Sequence, residues 1–336
     1  MGDILHALPA VTALRLMHPE WAIDWVVEPR WQALFTAEDS LGRVVSQPLV
    51  DRVHFAPTKE WRTAPFSEKT LREIKLLRHT LREGGYDAVV DLQGAIRSAV
   101  VGRMANCRRL IGEEAPRERV ARWLYSERIA TRGHHVIEQD VELAAAVAGD
   151  ELTPATPTLP TDPNAEAWAE QTLNSSQGAV LINPGAGWGA KRWPVDRYST
   201  VAKELVAKGF RVVVNAGPGE LPLAETIAQA TGGVATPLTC SVTQLISLTR
   251  RVVLLIAGDT GPLHLACALG RPVVGIYGPT DPSRNGPFGT RFKVLRSPES
   301  RRDHSRHEAP EAGLLTISTD DVLRAATELL AEGAAR

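Results

Sequence analysis

Strand and helix patterns alternate along almost the whole of this 336-residue chain, and that alternation restricts the fold more than any single motif does. Short runs rich in valine, isoleucine and leucine are each followed by a longer stretch with apolar residues at helical spacing. Strands joined through helices pair in parallel, with helices covering both faces of the sheet. In the N-terminal half, Ala22–Val27, Arg52–Phe55 and Ala88–Asp91 read as strands, and Ala7–Met17, Ser67–Glu83 and Ala95–Met104 as helices. In the C-terminal half the strands are Ala179–Asn183, Arg211–Asn215, Val252–Ala257 and Val273–Ile276. Helices fall near Val195–Lys208, Leu221–Ala230, Val242–Leu248 and Gly261–Leu269, and a last one near Thr319–Ala331 opens with a threonine and two aspartates.

Between residues 151 and 163 the texture changes, with Pro154, Pro157, Pro160 and Pro163 recurring every third residue. Proline at that density excludes helix and ladder pairing and favours a stiff extended strap. The chain is long for one core and suits two α/β domains of roughly 150 residues each. The expected layout is a Rossmann-like domain over residues 1–150, a linker over 151–163 and a second Rossmann-like domain over 164–336. The last helix is expected to be able to turn back towards the first domain. At the front, Gly2-Asp3 looks like the residue pair that follows a strand, yet no strand precedes it. The first sheet is therefore expected to lack its central strand and to have open edges, unless a later strand takes that place.

A hydrophobic share of 43% with 23% charged residues is the balance of a soluble globular enzyme, and a formal net charge of −1 gives no global field for nucleic acid. No apolar run reaches the roughly 18 residues a bilayer-spanning helix needs, so membrane contact is expected to be peripheral. Cys107, Cys240 and Cys267 match no metal-ligand spacing and read as reduced, mostly buried thiols of a cytosolic protein.

Three loops follow C-terminal strands. Asn183 to Pro194 holds Gly185, Ala186, Gly187, Gly189 and Lys191, where glycines admit an anion to the backbone and lysine adds a compact charge; it is not a Walker A loop. Asn215 to Glu220 sits where open α/β sheets bind ligands, and Glu220 either accepts from ribose hydroxyls or complements a helix dipole. Gly258-Asp259-Thr260-Gly261-Pro262-Leu263-His264 joins a strand to a helix start, where free amides favour a diphosphate. Capping alone explains Asp259 or Thr260 but not the glycine, proline and histidine in the same turn. Asp3 by itself reads as a helix cap or as a base for an acceptor hydroxyl. Residues 97–132 contain nine arginines, no lysine and four acids, and residues 58–82 are also basic. Arginine forks suit carboxylates and phosphates, so Arg62 and Arg117, in loop-like surroundings, are candidate anion contacts.

Together these motifs resemble glycosyltransferase family 9, the bacterial heptosyltransferases of the GT-B fold. The resemblance rests on Met1 to Ala10, Asp24-Trp25-Val26-Val27-Glu28, Tyr86 to Gly94, Lys191-Arg192-Trp193-Pro194, Gly258 to His264 and Val274 to Pro282. It implies two doubly wound domains facing a cleft and inverting transfer of L-glycero-D-manno-heptose from an ADP-sugar to the Kdo inner-core region of lipopolysaccharide. The acceptor would be anionic and lipid-linked, met at the cytoplasmic face of the inner membrane, with no cofactor. Asp3 takes the family's place of general base, and Lys191 that of the lysine at the departing diphosphate. Gly185, Ala186, Glu220, Asp259, Thr260, Gly261 and His264 fall in donor positions, and Lys59, Arg62 and Arg117 in acceptor positions. Relatives begin about ten residues earlier with a β-strand, so the expectation is a chain shortened at its N-terminus. A dinucleotide oxidoreductase is the rival enzyme, but no Gly-x-Gly-x-x-Gly follows a first strand. A non-catalytic sugar-nucleotide sensor is the rival binder, and a sugar-nucleotide epimerase of the same fold would need no acceptor.

Overall fold

The computed structural model describes residues 1–173, 178–301 and 308–334. The chain divides into two compact units. One holds Met1, Asp3–Thr36 and Ser46–Pro160; the other holds Thr161–Arg336 with Gly2 and Ala37–Val45.

The first unit opens with helix α1 (Gly2–Met17), whose residues from Leu5 to Leu14 are all buried, including the internal Pro9. A helix that is apolar on every side must be covered on every side. Asp3 lies in the first turn of α1 with Met1 at the cap position, so Asp3 is not the cap of this helix. Strand β1 (Asp24–Val27) comes next, then β2 (Ala37–Glu38) and β3 (Val44–Ser46), which but for Ser46 lie on the segment assigned to the second unit, and then β4 (Arg52–Phe55). Helices α2 (Thr58–Thr63) and α3 (Glu68–Glu83) follow, the latter capped by the Ser67 side chain. Strand β5 (Val89–Asp91), helix α4 (Ile96–Met104), strands β6 (Leu110–Glu113) and β7 (Glu127–Ile129) and helix α5 (Val136–Ala148) complete the unit.

The interruption expected in the first sheet is present. Strand β1 pairs only with β4, and β5 only with β6, which continues to β7; all three pairings are parallel. The facing edges of β1 and β5 line a cavity of about 510 Å³, with Ile4, Ala7 and Val11 of α1 and Ala144 of α5 also in its wall. No later strand among the described residues fills the centre. Around this gap the unit is held by polar contacts as much as by core. Asp24 on β1 accepts from Tyr86 Oη (2.6 Å), His54 Nε2 (3.1 Å) and Arg52 Nε (3.0 Å), tying β1, β4 and the approach to β5. Burial opposes the Asp24 charge, but the hydrogen bonds from Tyr86, His54 and Arg52 outweigh it and hold the carboxyl below its ordinary range.

The second unit begins with helix α6 (Pro163–Leu173), so Pro163, placed in the linker from sequence, is the first helical residue, a position that suits proline. Its sheet contains β8 (Ala179–Asn183), β9 (Arg211–Asn215), β10 (Thr236–Leu238), β11 (Leu254–Gly258), β12 (Val273–Tyr277) and β13 (Phe292–Arg296). All pairings are parallel, in the order β10-β9-β8-β11-β12-β13. Strands β8, β11 and β12 are buried at every position, which is why they read as continuous apolar runs. The connecting helices are α7 (Val195–Ala207), α8 (Leu221–Ala230), α9 (Val242–Arg251), α10 (Gly261–Ala268) and the short α11 (Pro282–Asn285). The last helix, α12 (Thr319–Ala334), buries Val322, Ala325, Ala326 and Leu329 in the core of this same unit.

Strands with one unpaired edge open more readily than strands bonded on both sides. Backbone amides of β1 and β5 should therefore exchange with solvent at least about tenfold faster than those of β8 and β11. Hydrogen exchange read by NMR or mass spectrometry checks this, and equal protection would contradict the split sheet.

Candidate active site

In the second unit the strand order reverses between β8 and β11. Successive strands run outward to β10 on one side and to β13 on the other. Loops leaving the carboxyl ends of strands at such a switch point diverge and leave a crevice. The register Asn183↔Ala257 brings the two critical loops level.

The loop after β8 ends in a short 3₁₀ turn at Gly189–Lys191 and is anchored by Trp193, 2% exposed, whose Nε1 donates to the Ile317 carbonyl (3.1 Å). Lys191 is thereby directed at Asp259, with which its Nζ forms an ion pair, and its ammonium lies 4.4 Å from the centre of the Trp188 ring. A Cβ at Gly258 would stand 3.3 Å from the Lys191 carbonyl oxygen, so glycine suits this close approach. Asp259 also meets His264 Nε2 at 3.2 Å, and all three side chains are nearly buried. Burial opposes ionisation of Asp259, yet the His264 hydrogen bond and the Lys191 charge hold its carboxyl far below the usual range. Thr260, rather than Asp259, is the residue before α10, and no side chain caps that helix. Pro262 has no amide hydrogen, and Leu263 N and His264 N turn back to the Thr260 carbonyl (3.1 and 3.4 Å), so in the first turn of α10 the Gly261 amide is what stays available to a ligand among the described residues.

Glu220 stands before α8 and accepts from Gly217 N (3.3 Å) and Arg192 Nη2 (3.4 Å). A Cβ at Gly185 would collide with its carboxylate, so Gly185 serves as a seat for Glu220, with Ala186 buried beside it. Strand ends next to this carboxylate are joined by side-chain amides, Asn215 Nδ2 donating to Asn183 Oδ1 (2.8 Å) and Cys240 Sγ to Asn215 Oδ1 (3.2 Å). Sequence reasoning gave no role to Arg192, Asn183, Asn215 or Cys240. Cys240 and Cys107 are only half-buried, and of the three free cysteines Cys267 alone is fully buried.

In the first unit, Asp3 accepts from Gln93 Nε2 (3.1 Å) and Arg117 Nη1 (3.2 Å) and remains about half exposed. Both partners are placed from the end of β5. The buried Asp91 carboxylate accepts from Gln93 N (2.9 Å), Gly94 N (3.2 Å), Ser98 Oγ (2.9 Å) and Tyr125 Oη (2.8 Å). Gly94 has φ +64°, and a Cβ there would come within 3.0 Å of Arg117 N, so this turn favours glycine twice over. Arg62 lies on α2 rather than in a loop; it and Lys59 are exposed and, among the described residues, touch neither Asp3 nor Arg117. The Asp91, Gln93 and Gly94 motif was visible in the sequence, but nothing there showed what those side chains hold.

Behind Asp3, Asp140 of α5 is 3% exposed, and its Oδ2 has no hydrogen-bond partner. Burial first, then the negative charges of Asp3 and Asp91, push its carboxyl well above the ordinary value, so it is neutral in the fold over a range where the unfolded chain ionises it. A raised folded value means that this group's contribution is fully present below about pH 3.9 and is lost as pH rises through the folded value. Asp140→Asn keeps the shape without that loss. The variant should melt like the wild type near pH 3 and higher at neutral pH, by about 3 °C for each kcal/mol recovered. A lower melting temperature at neutral pH would refute a neutral Asp140.

Comparison with known proteins agrees with this arrangement. The profile of glycosyltransferase family 9 (heptosyltransferase) matches residues 74–314. Lipopolysaccharide heptosyltransferase 1 of Escherichia coli K12 is 30% identical over 314 residues, covering 89% of this chain and 91% of that protein. Lipopolysaccharide heptosyltransferase 3 of Escherichia coli is 25% identical over 341 residues, covering 98% and 96%. The solved structure of the E. coli heptosyltransferase WaaC with ADP matches with a TM-score of 0.79 at 25% identity, over 98% of this chain and 96% of that one. Agreement in sequence and in fold over nearly the full length places the chain in glycosyltransferase family 9, as a glycosyltransferase of the GT-B fold.

Proposed function

We propose that this enzyme transfers L-glycero-D-manno-heptose from ADP-heptose to the Kdo inner-core region of lipopolysaccharide, with inversion and with Asp3 as general base. The observation that carries this reading is the Asp3 carboxylate, half exposed and held by two side chains that the β5 loop fixes in place. Relatives named lipopolysaccharide heptosyltransferase, and a related structure titled with ADP-2-deoxy-2-fluoro heptose, support the donor and acceptor.

In this reading Asp3 removes the proton from the acceptor hydroxyl as its oxygen attacks the anomeric carbon. The bond to the diphosphate oxygen breaks on the opposite face, and ADP leaves with the electron pair. Lys191 and the Gly261 amide that follows Thr260 at the start of α10 meet the charge that develops on ADP, with His264 and Asp259 fixing the lysine. Glu220 takes the ribose hydroxyls. Arg117, with Lys59 and Arg62, takes the anionic groups of the acceptor. An acceptor carboxylate that draws Arg117 away from Asp3 leaves the base less neutralised when substrate is present. The acceptor is lipid-linked, so the enzyme works as a peripheral protein at the cytoplasmic face of the inner membrane. No described helix is long and apolar enough to cross a membrane.

Asp3→Asn should lower kcat by about 10²–10⁴-fold, the range of general base catalysis, while ADP raises the melting temperature as much as it does for the wild type. Arg117→Ala should chiefly raise KM for the acceptor. Full turnover by Asp3→Asn would remove it as the base, and a wild type stabilised by UDP but not ADP would change the donor.

A further inference from the structure

The strongest surface feature of the first unit lies on α4 and on the 3₁₀ helix Arg119–Leu124. The two are packed together through one buried cluster that contains Ala99 and Ala121. Their outer sides remain apolar. Ile96 and Val100 of α4 are 40% and 42% exposed, and Val120 and Trp123 of the 3₁₀ helix are 59% and 71% exposed. Ile96, Val100 and Arg103 follow one another at i, i+4 and i+7, so they form a single stripe on α4.

Charge decides what this surface fits. The Trp123 ring is flanked by two guanidinium groups, Arg122 at 5.4 Å and Arg128 at 5.2 Å from its centre. Arg103, Arg119, Arg122 and Arg128 form no ion pair with a carboxylate among the described residues. The acids of the same stretch are mostly engaged elsewhere. Glu118 accepts from Ile96 N (2.9 Å), Glu127 pairs with Arg109 (2.8 Å) and Glu113 accepts from Thr131 (3.3 Å), which leaves Glu114. An exposed indole among arginines is matched by the headgroup layer of an anionic bilayer. There the indole rests at the interface, the arginine stems lie along it and their charges meet phosphates.

We propose that the Ile96–Val100–Val120–Trp123 surface, with its arginines, is the face that docks this enzyme on an anionic lipid bilayer. The 3₁₀ helix of this surface begins two residues after Arg117, the arginine that binds Asp3, so the surface adjoins the candidate base along the chain. This rests on the proposed lipid-linked acceptor for its purpose, but not for its existence.

Co-sedimentation of the full chain with phosphatidylcholine vesicles, with and without phosphatidylglycerol, tests it. The wild type should bind only the anionic vesicles, and less tightly as salt is raised. Arg122→Gln and Arg128→Gln should each weaken binding about fivefold, the worth of one basic residue at an anionic surface. Trp123→Ser should reduce binding to the level seen on phosphatidylcholine alone. Melting curves and the ADP shift of these variants should match the wild type, which separates lost docking from lost folding. Transfer to a deacylated, water-soluble acceptor should be unchanged, whereas transfer to acceptor embedded in vesicles should fall. Equal binding to both vesicle types, or wild-type binding by Trp123→Ser, would overturn the proposal. Docking that depends on Trp123 in a protein with no transfer to either acceptor would uphold the surface and sink the functional reading.

Discussion

The parallel pairing of β8 with β11 is the constraint on which the chemistry of the second unit depends. Because all six strands run the same way, every loop that follows a strand emerges on one edge. Because the order reverses between β8 and β11, the loops carrying Lys191 and Asp259 leave from neighbouring strands and then part. The Lys191–Asp259 contact is thus a consequence of topology, fixed locally by Trp193 on one side and by the glycine at 258 on the other.

That contact also revises what each residue can do. A lysine read from sequence as a free phosphate contact is here neutralised by a buried carboxylate, and the carboxylate is shared with His264. A buried pair of this kind is costly to break, since removing either partner strands a charge at about 3–5 kcal/mol. Asp259 therefore acts less as a ligand than as a clamp, holding an ammonium in one place before any anion arrives. In the proposed reading, attraction for a diphosphate then falls first to the start of α10, where the helix end carries partial positive charge and the Gly261 amide has no competing partner among the described residues. A site preorganised in this way would supply the leaving-group stabilisation of the proposed transfer without rearranging charge.

Legibility from sequence followed burial. Ala179–Asn183, Arg211–Asn215 and Leu221–Ala230 were read residue for residue, because strands buried on both faces and amphipathic helices leave strong patterns. Strands β6, β7, β10 and β13 were missed. Glu127-Arg128-Ile129 has no apolar run or alternation, and only pairing to β6 makes it a strand. Helix α5 went unread as well, although its N-terminus carries a capping arrangement from His135 and Glu138. At the sites, residue types announced Lys191, Asp259 and His264, whereas the supports did not show. Asp91 binds four donors from three stretches of chain, and Asp140 is significant only because folding buries it near two other carboxylates. Such roles are relations between distant residues and have no local signature.

The two units hold their key carboxylates in opposite environments, and the difference fits the chemistry. Asp259 is nearly buried and paired, its carboxyl held far below the usual range by His264 and Lys191, which suits a group that holds position. Asp3 is half exposed, its two partners neutral Gln93 and the largely exposed Arg117, and an exposed pair of that kind contributes little stability. In the proposed role of base, Asp3 must release its partner and accept a proton, so weak tethering is an advantage there. Rigidity is supplied one step further back, where Asp91 and Gly94 fix the loop that carries both tethers. The neutral Asp140 behind Asp3 adds a proton-holding carboxyl rather than a further negative charge beside Asp3 and Asp91.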